Sequence, residues 1–322
     1  MSQSAHYACI DVGTNTVKMV IADLANGGTV RVFEQSNNTR LGEGMQAQAM
    51  RLREVPMRRT LDAIVEYARI AKAHGVTGLA AVGTAALRDA DNSTEFVERV
   101  EAACEVKIEV IPGEEEARLS YLAVRRDPRW RDERQLIVID IGGGSTEVIH
   151  GDPNSDGIAA RISLNVGAVK LTERFLRSDP PTIAQLSDAN RFVQEEYARV
   201  ENYPETPLPP TFVGVGGTVT NLGAMENGRI LAPEELHGYT LSQDALEGQA
   251  ARLSVLTIEQ RKALPGLDPR RADIILGGAI LLSQALARAG STEVAVSTRG
   301  LRWGVLYDRF LKRSSQTLAA VE

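Results

Sequence analysis

Four short stretches carry residue types able to handle phosphate and water. In DIGGGSTE (140–147), the glycines Gly142, Gly143 and Gly144 let backbone amides approach an anion with no Cβ in the way. Ser145 and Thr146 add hydroxyls. Asp140 and Glu147 lie on either side of the turn. If the flanking strands pair as a hairpin, both carboxylates return to the same end and could hold a divalent cation beside a phosphate. In DVGTNTVK (11–18), small polar residues follow a glycine and can present amides to an anion. Asp11 could bind hydrated magnesium there and Lys18 could add charge, although a plain hairpin turn accounts for the stretch equally well. In GVGGTVTN (214–221), glycines pass straight into a helical segment, and a helix N-terminus is an anion site. In GEEEARL (113–119), a carboxylate facing a cleft could take a proton from water attacking phosphorus. Complementarity to the helix dipole already explains some of these acids.

Other chemistries lack their motifs. There is no GxxxxGK[ST] loop, no GxSxG elbow and no HExxH pair, and GVGGTV lacks the last glycine of GxGxxG. The histidines His6, His74, His150 and His237 are scattered, which argues against a zinc site. Cys9 and Cys104 sit in apolar settings without a CxxC and read as core residues. A net charge of −6 and only 5% aromatic residues argue against nucleic-acid binding. The N-terminal MSQSAHYACID has no basic region and no long apolar run. Neither a signal peptide nor a membrane span is expected, and the reading is a cytoplasmic protein.

A chain of 322 residues with 43% hydrophobic content suits two domains. Strands are expected at 6–12, 17–23 and 29–35. A helix follows over 55–74 with Gly75 as its C-cap, then a strand at 78–84, a helix at 94–104, a strand at 107–112 and a helix at 113–124. The pattern then starts again, with strands at 135–141, 147–151 and 160–166 and helices at 167–176 and 182–200. A strand at 211–217 runs into a helix, residues 242–288 are mainly helical, and a strand at 293–297 precedes a closing helix over 300–314. Asp11 and Asp140 occupy equivalent places. The repeat predicts two α/β domains, 1–124 and 125–303, with a cleft between them and a C-terminal helix, about 304–322, packing back on the first. The arginine-rich RRDPRWRDER (125–134) has no apolar period and reads as a solvated linker, with a phosphate-steering rim as the alternative.

The motifs together resemble one family. DVGTNTVKM, TAALRDA (84–90), IPGEEEARL (111–119), VIDIGGGSTEV (138–148), SLNVGAVKLTE (163–173), VGVGGTVTNL (213–222), LDPRRADIILGG (267–278) and STRGLRWGVLYD (297–308) are similar, in order and spacing, to the exopolyphosphatase / guanosine pentaphosphate phosphatase family, Ppx/GppA. That family lies within the actin-like ATPase superfamily. The resemblance implies two actin-like (ribonuclease H-like) α/β domains with mixed sheets and crossover helices, with the active site in the interdomain cleft, as in the short two-domain form. It implies metal-dependent removal of terminal phosphate from linear polyphosphate, guanosine pentaphosphate or both, with magnesium or manganese as cofactor.

Residue roles follow from the same resemblance. The catalytic glutamate falls at Glu116, with Glu115 as second choice because Glu114, Glu115 and Glu116 are consecutive. Asp140 and Glu147 match carboxylates that hold metal and organise water, with Asp11 as a third. Gly142, Gly143, Gly144 and Ser145 match the phosphate loop, and Gly13, Thr14, Asn15 and Thr16 the opposing loop. Arg88 and Arg271 match arginines that look toward the phosphates, and Gly216, Gly217 and Thr218 a nucleoside-side motif. A homodimer is expected. The competing readings are a kinase-like phosphotransferase and a non-catalytic alarmone or polyphosphate sensor.

Overall fold

The computed structural model describes residues 5–24, 29–45, 50–200 and 210–311. The chain forms two compact units. One takes the chain up to Ala123 and again from Leu301, and the other is Val124–Gly300.

The first unit is built on a five-stranded sheet. Strands β1 (His6–Val12), β2 (Val17–Asp23) and β3 (Val30–Asn37) form an antiparallel meander, and β4 (Gly78–Gly83) and β5 (Ile108–Val110) add in parallel beside β1. The order is β3-β2-β1-β4-β5. Side chains alternate across a strand, so one apolar run feeds two cores. Ala8, Ile10 and Val12 pack toward α1 (Glu54–Ala73) and α3 (Ser93–Cys104). Cys9 packs on the other face with Val20, Ala22 and Val82, against Leu119 and Ala123 of α4 (Gly113–Arg125). The short helix α2 (Ala85–Asp89), which the apolar periodicity does not announce, follows β4 directly.

The second unit repeats the plan. Strands β6 (Leu136–Ile141), β7 (Thr146–Gly151) and β8 (Ile158–Leu164) form the meander. Parallel strands β9 (Thr211–Val215) and β11 (Glu293–Val296) extend it, and a short β10 (Thr240–Ser242) closes the edge, giving β10-β11-β9-β6-β7-β8. Around it lie α5 (Ala168–Phe175), α6 (Ile183–Ala198), α7 (Gly216–Glu226), α8 (Pro233–Leu236), α9 (Gln243–Ser254), α10 (Ile258–Lys262) and α11 (Ile275–Ala289). Within the span 242–288, expected to be mainly helical, α11 starts only at Ile275, because Pro269 heads a separate 3-10 turn, Pro269–Arg271.

Residues 126–134 are a mostly exposed turn segment, as expected, although Arg125 ends α4 and Asp127 and Trp130 are buried within the stretch. The closing helix is shorter than expected, with α12 (Leu301–Leu306) followed by a π-helical turn over Tyr307–Leu311. The expected helix beyond residue 311 lies outside the described residues. Among the described residues, no helix is long and apolar enough to cross a membrane.

Candidate functional site

The two Asp-x-Gly turns are built alike. In the first, the Gly13 amide donates to the Thr16 carbonyl at 3.1 Å; in the second, the Gly142 amide donates to the Ser145 carbonyl at 3.0 Å. Neighbouring segments then tie down the turn carbonyls. Arg40 and Gly42 donate to the Asn15 and Thr14 oxygens, each at 2.9 Å, while Ala168 and Val169 donate to the Gly142 and Gly143 oxygens at 2.9 and 3.0 Å. Among the described residues, no backbone carbonyl takes up the amides of Thr14, Asn15, Gly143 or Gly144. Each turn therefore leaves amides without a backbone partner while most of its carbonyls are already bonded, which suits an anion. The N-terminus of α5 is used by the glycine-turn carbonyls, so it serves the turn and not a ligand.

The ladders distinguish the turns. Asp11 stands opposite Lys18 on β1 and β2, whereas Asp140 stands opposite Glu147 on β6 and β7. Directly opposed residues in an antiparallel pair share a face, with Cβ atoms about 5 Å apart. The second turn thus sets two carboxylates side by side, and the first sets a carboxylate beside a cation. Glu147 is fully buried and accepts a hydrogen bond from Ser163 Oγ at 3.0 Å.

In the first unit, the segments after β1, β4 and β5 all emerge at the carboxyl ends of parallel strands, where open α/β sheets bind ligands. They bring Arg88 to Glu116: Arg88 Nη1 donates to Glu116 Oε2 at 3.1 Å and to the Ile111 carbonyl at 3.0 Å. Glu116 is buried. Glu115 faces another way, and both its oxygens accept from Arg118, at 2.7 and 2.8 Å. That guanidinium holds the Glu115 carboxyl below the usual carboxylate range, against the opposing pull of partial burial. Thr16 Oγ1 donates to Asn38 Oδ1 at 3.0 Å, while the buried Thr14 hydroxyl has no hydrogen-bond partner among the described residues.

In the second unit, the ends of β6, β9 and β11 converge on Asp140. Gly216 has φ +89°, and a Cβ placed on it would lie 2.8 Å from Asp140 Oδ1. A side chain at 216 would be strained and would press on that carboxylate. A Cβ on Gly217 would lie 2.2 Å from Arg271 Nη2, so the Arg271 guanidinium lies against the first turn of α7. Burial pulls the Arg271 pKa below its ordinary value, with the Asp268 charge opposing. One hydroxyl is placed otherwise than expected: Thr146 Oγ1 donates to the Val166 carbonyl at 2.7 Å. The Thr218 side chain packs against Gly278 of α11.

Residue reading alone missed a buried group beside the end of β11. Asp127 Oδ2 takes His237 Nε2 at 3.0 Å and Arg299 Nη1 at 3.3 Å, and His237 Nδ1 accepts the Thr298 amide at 3.2 Å. The ring is therefore protonated at Nε2. Burial raises the Asp127 pKa, but the His237 hydrogen bond, the Arg129 amide and the Arg299 charge lower it further, to a value below the ordinary one. Asp127 and His237 are separated by 110 residues. The one sequence signal was a tryptophan inside a charged run.

Among the described residues, no group of three or more His, Cys, Asp or Glu side chains is set to hold a metal ion. The Asp140–Glu147 pair nevertheless fits magnesium, which takes one or two carboxylates and completes its shell with water and substrate oxygens. Asp11, opposite a lysine, is the poorer candidate.

The strand ends, paired Asp-x-Gly turns and mixed sheets define a two-unit α/β protein. The model of the Ppx/GppA phosphatase family matches residues 20–313. Exopolyphosphatase 2 of Mycobacterium tuberculosis is 33% identical over 315 residues, covering 92% of this chain and 96% of that protein. A crystal structure of the Aquifex aeolicus Ppx/GppA family member superimposes with a TM-score of 0.79 at 33% identity, covering 96% of this chain and 98% of that one. An exopolyphosphatase from Cytophaga hutchinsonii does so with a TM-score of 0.84 at 28% identity, covering 96% and 98%. The chain belongs to the Ppx/GppA phosphatase family, and its two mixed sheets with flanking helices are the actin-like architecture of those structures.

Proposed function

We propose that this protein is a metal-dependent phosphohydrolase that removes terminal orthophosphate from linear polyphosphate, guanosine pentaphosphate or both. The observation that carries the reading is the Asp140–Glu147 pair, opposed across the ladder at an amide-lined turn. Relatives named as exopolyphosphatases support it.

Phosphoryl transfer needs chiefly positioning and charge neutralisation. On the second unit, the amides of Gly143 and Gly144 orient a terminal phosphate and Arg271 adds positive charge; on the first, the amides of Thr14 and Asn15 and the Arg88 guanidinium are donors of the same kind. Asp140 and Glu147 would hold magnesium or manganese, which would supply further neutralisation. Glu116 aligns the attacking water and accepts its proton at a carboxylate oxygen, while Arg88 fixes that carboxylate's orientation.

The test is phosphate release from short polyphosphate, long polyphosphate and guanosine pentaphosphate in parallel, with each metal. Glu116→Gln is expected to lose about a hundred- to ten-thousand-fold in kcat while still binding substrate. Loss in Glu115→Gln with Glu116→Gln unaffected would move the base by one residue, and loss in neither would remove the base from the mechanism. Consumption of ADP alongside polyphosphate, with no orthophosphate released, would replace the hydrolase reading with a kinase.

A further inference from the structure

Arg271 meets the first turn of α7 because its own segment is held against that helix, and one side chain joins the two. Asn221, on α7, donates from Nδ2 to the Gly217 carbonyl at 2.8 Å and accepts the Asp268 amide on Oδ1 at 2.8 Å. The two ends of one amide group are thereby used in opposite senses. Turning the amide over would set two donors against each other at Asp268 and two acceptors at Gly217, so the arrangement has one sense only.

From Asp268 the chain is short and fully bonded. The Asp268 carbonyl accepts the Arg271 amide at 2.9 Å, closing the 3-10 turn. The Asp268 carboxylate accepts the Arg270 amide at 3.0 Å and takes the Arg270 guanidinium, with Nη2 at 2.8 Å. Of two consecutive arginines, one is neutralised within the turn and the other is delivered to Gly217. Packing holds the flanks. Gly266, at φ +83°, comes so close to α7 that a Cβ there would lie 2.3 Å from the Ala224 carbonyl. Beyond the turn, the buried Arg261 donates to the Ala272 carbonyl at 3.4 Å. Both contacts lie outside Asp268–Arg271, and Asn221 is bonded to the amide at its start.

We propose that Asn221 is a positioning residue for Arg271, registering that guanidinium over the N-terminus of α7 so that the two act as one binding surface for the phosphates of an oligophosphate. The proposal rests on the phosphohydrolase reading for its substrate, but not for its geometry. A cation placed over helix amides binds an anion more tightly than either does alone. An arginine free to swing would first have to be ordered, at a cost in affinity.

The experiment is a double-mutant cycle on Asn221→Ser and Arg271→Ala, Ser being too short to reach both partners. Phosphate release from polyphosphate gives kcat and KM, and calorimetry gives Kd for inorganic triphosphate. Asn221→Ser is expected to raise KM and the triphosphate Kd about tenfold, with kcat within about threefold of wild type and little change in unfolding midpoint. Added to Arg271→Ala, it should cost nothing more. Asn221→Asp keeps the Asp268 contact but sets a charged acceptor against the Gly217 carbonyl, so it should raise KM and Kd at least as much as Asn221→Ser.

An affinity loss that persists in the Arg271→Ala background would overturn the proposal. So would kcat and KM effects that track a lowered midpoint. If the wild-type protein binds triphosphate but releases no phosphate from any substrate, the hydrolase reading fails and the calorimetric cycle alone decides the role of Asn221. If it does neither, both fall.

Discussion

Glu115 and Glu116 show how one position separates a surface ion pair from a candidate base. Successive helical residues point about 100° apart. One therefore meets Arg118 and the other Arg88. The sequence shows a run of acids and cannot say which faces the strand ends, because that depends on how the helix is rotated against the sheet. Gly217 supports a sharper prediction. Its missing Cβ is replaced by a flexible guanidinium, so Gly217→Ala displaces Arg271 without rebuilding the helix. Folding stability should hold or rise by up to about 1 kcal/mol, since Ala is the better helix former. KM for polyphosphate should rise all the same. Urea unfolding and steady-state kinetics on one preparation check both; a fall in stability with KM unchanged would contradict it. The Asp127, His237 and Arg299 group was out of reach of sequence reading for a different reason. Its members lie on three separated segments, and no local spacing encodes their meeting.

The turns were legible because their chemistry is local. Asp-x-Gly followed by small residues fixes both the hydrogen bond that closes the turn and the register that places residue 18 or 147 opposite the aspartate. The stretch 125–134 is mostly exposed, as its charge density suggests, and what local pattern does not announce is its anchor, Trp130 packing edge-on to His237. Elements also show where close packing was bought with glycine. In α12, a Cβ on Gly304 would lie 1.8 Å from the Leu119 carbonyl of α4. Backbone cannot yield as a side-chain tip can. Gly304→Ala should therefore destabilise the protein by about 3 kcal/mol or more. A urea midpoint within error of wild type would show that α12 can ride away from α4 at no cost.

Acid sensitivity belongs to the folded chain taken together. His150 on β7 is buried, and desolvation, with some help from the Arg288 charge, lowers its pKa to about 4. An unfolded histidine titrates near ~6.5. Between these values the unfolded chain binds the extra proton, so stability is complete above about pH 6.5 and declines as pH falls toward 4, by on the order of 3 kcal/mol in total. Asp127, with its depressed pKa, adds its own loss only at lower pH, below the ordinary carboxylate value. His150→Leu should flatten the urea midpoint between pH 6.5 and 4.5; equal slopes in variant and wild type would show that the ring is charged in the fold. The order of the chain has a further consequence, for synthesis. The first unit takes its last helix from residues after Leu301, and until those exist Cys9, Val20, Ala22 and Leu119 lack the cover of Trp303, Leu306 and Phe310. At roughly 5–20 residues per second, a ribosome needs on the order of ten to forty seconds to cross Val124–Gly300. Through that interval the nascent chain carries an open apolar face that the finished protein no longer displays.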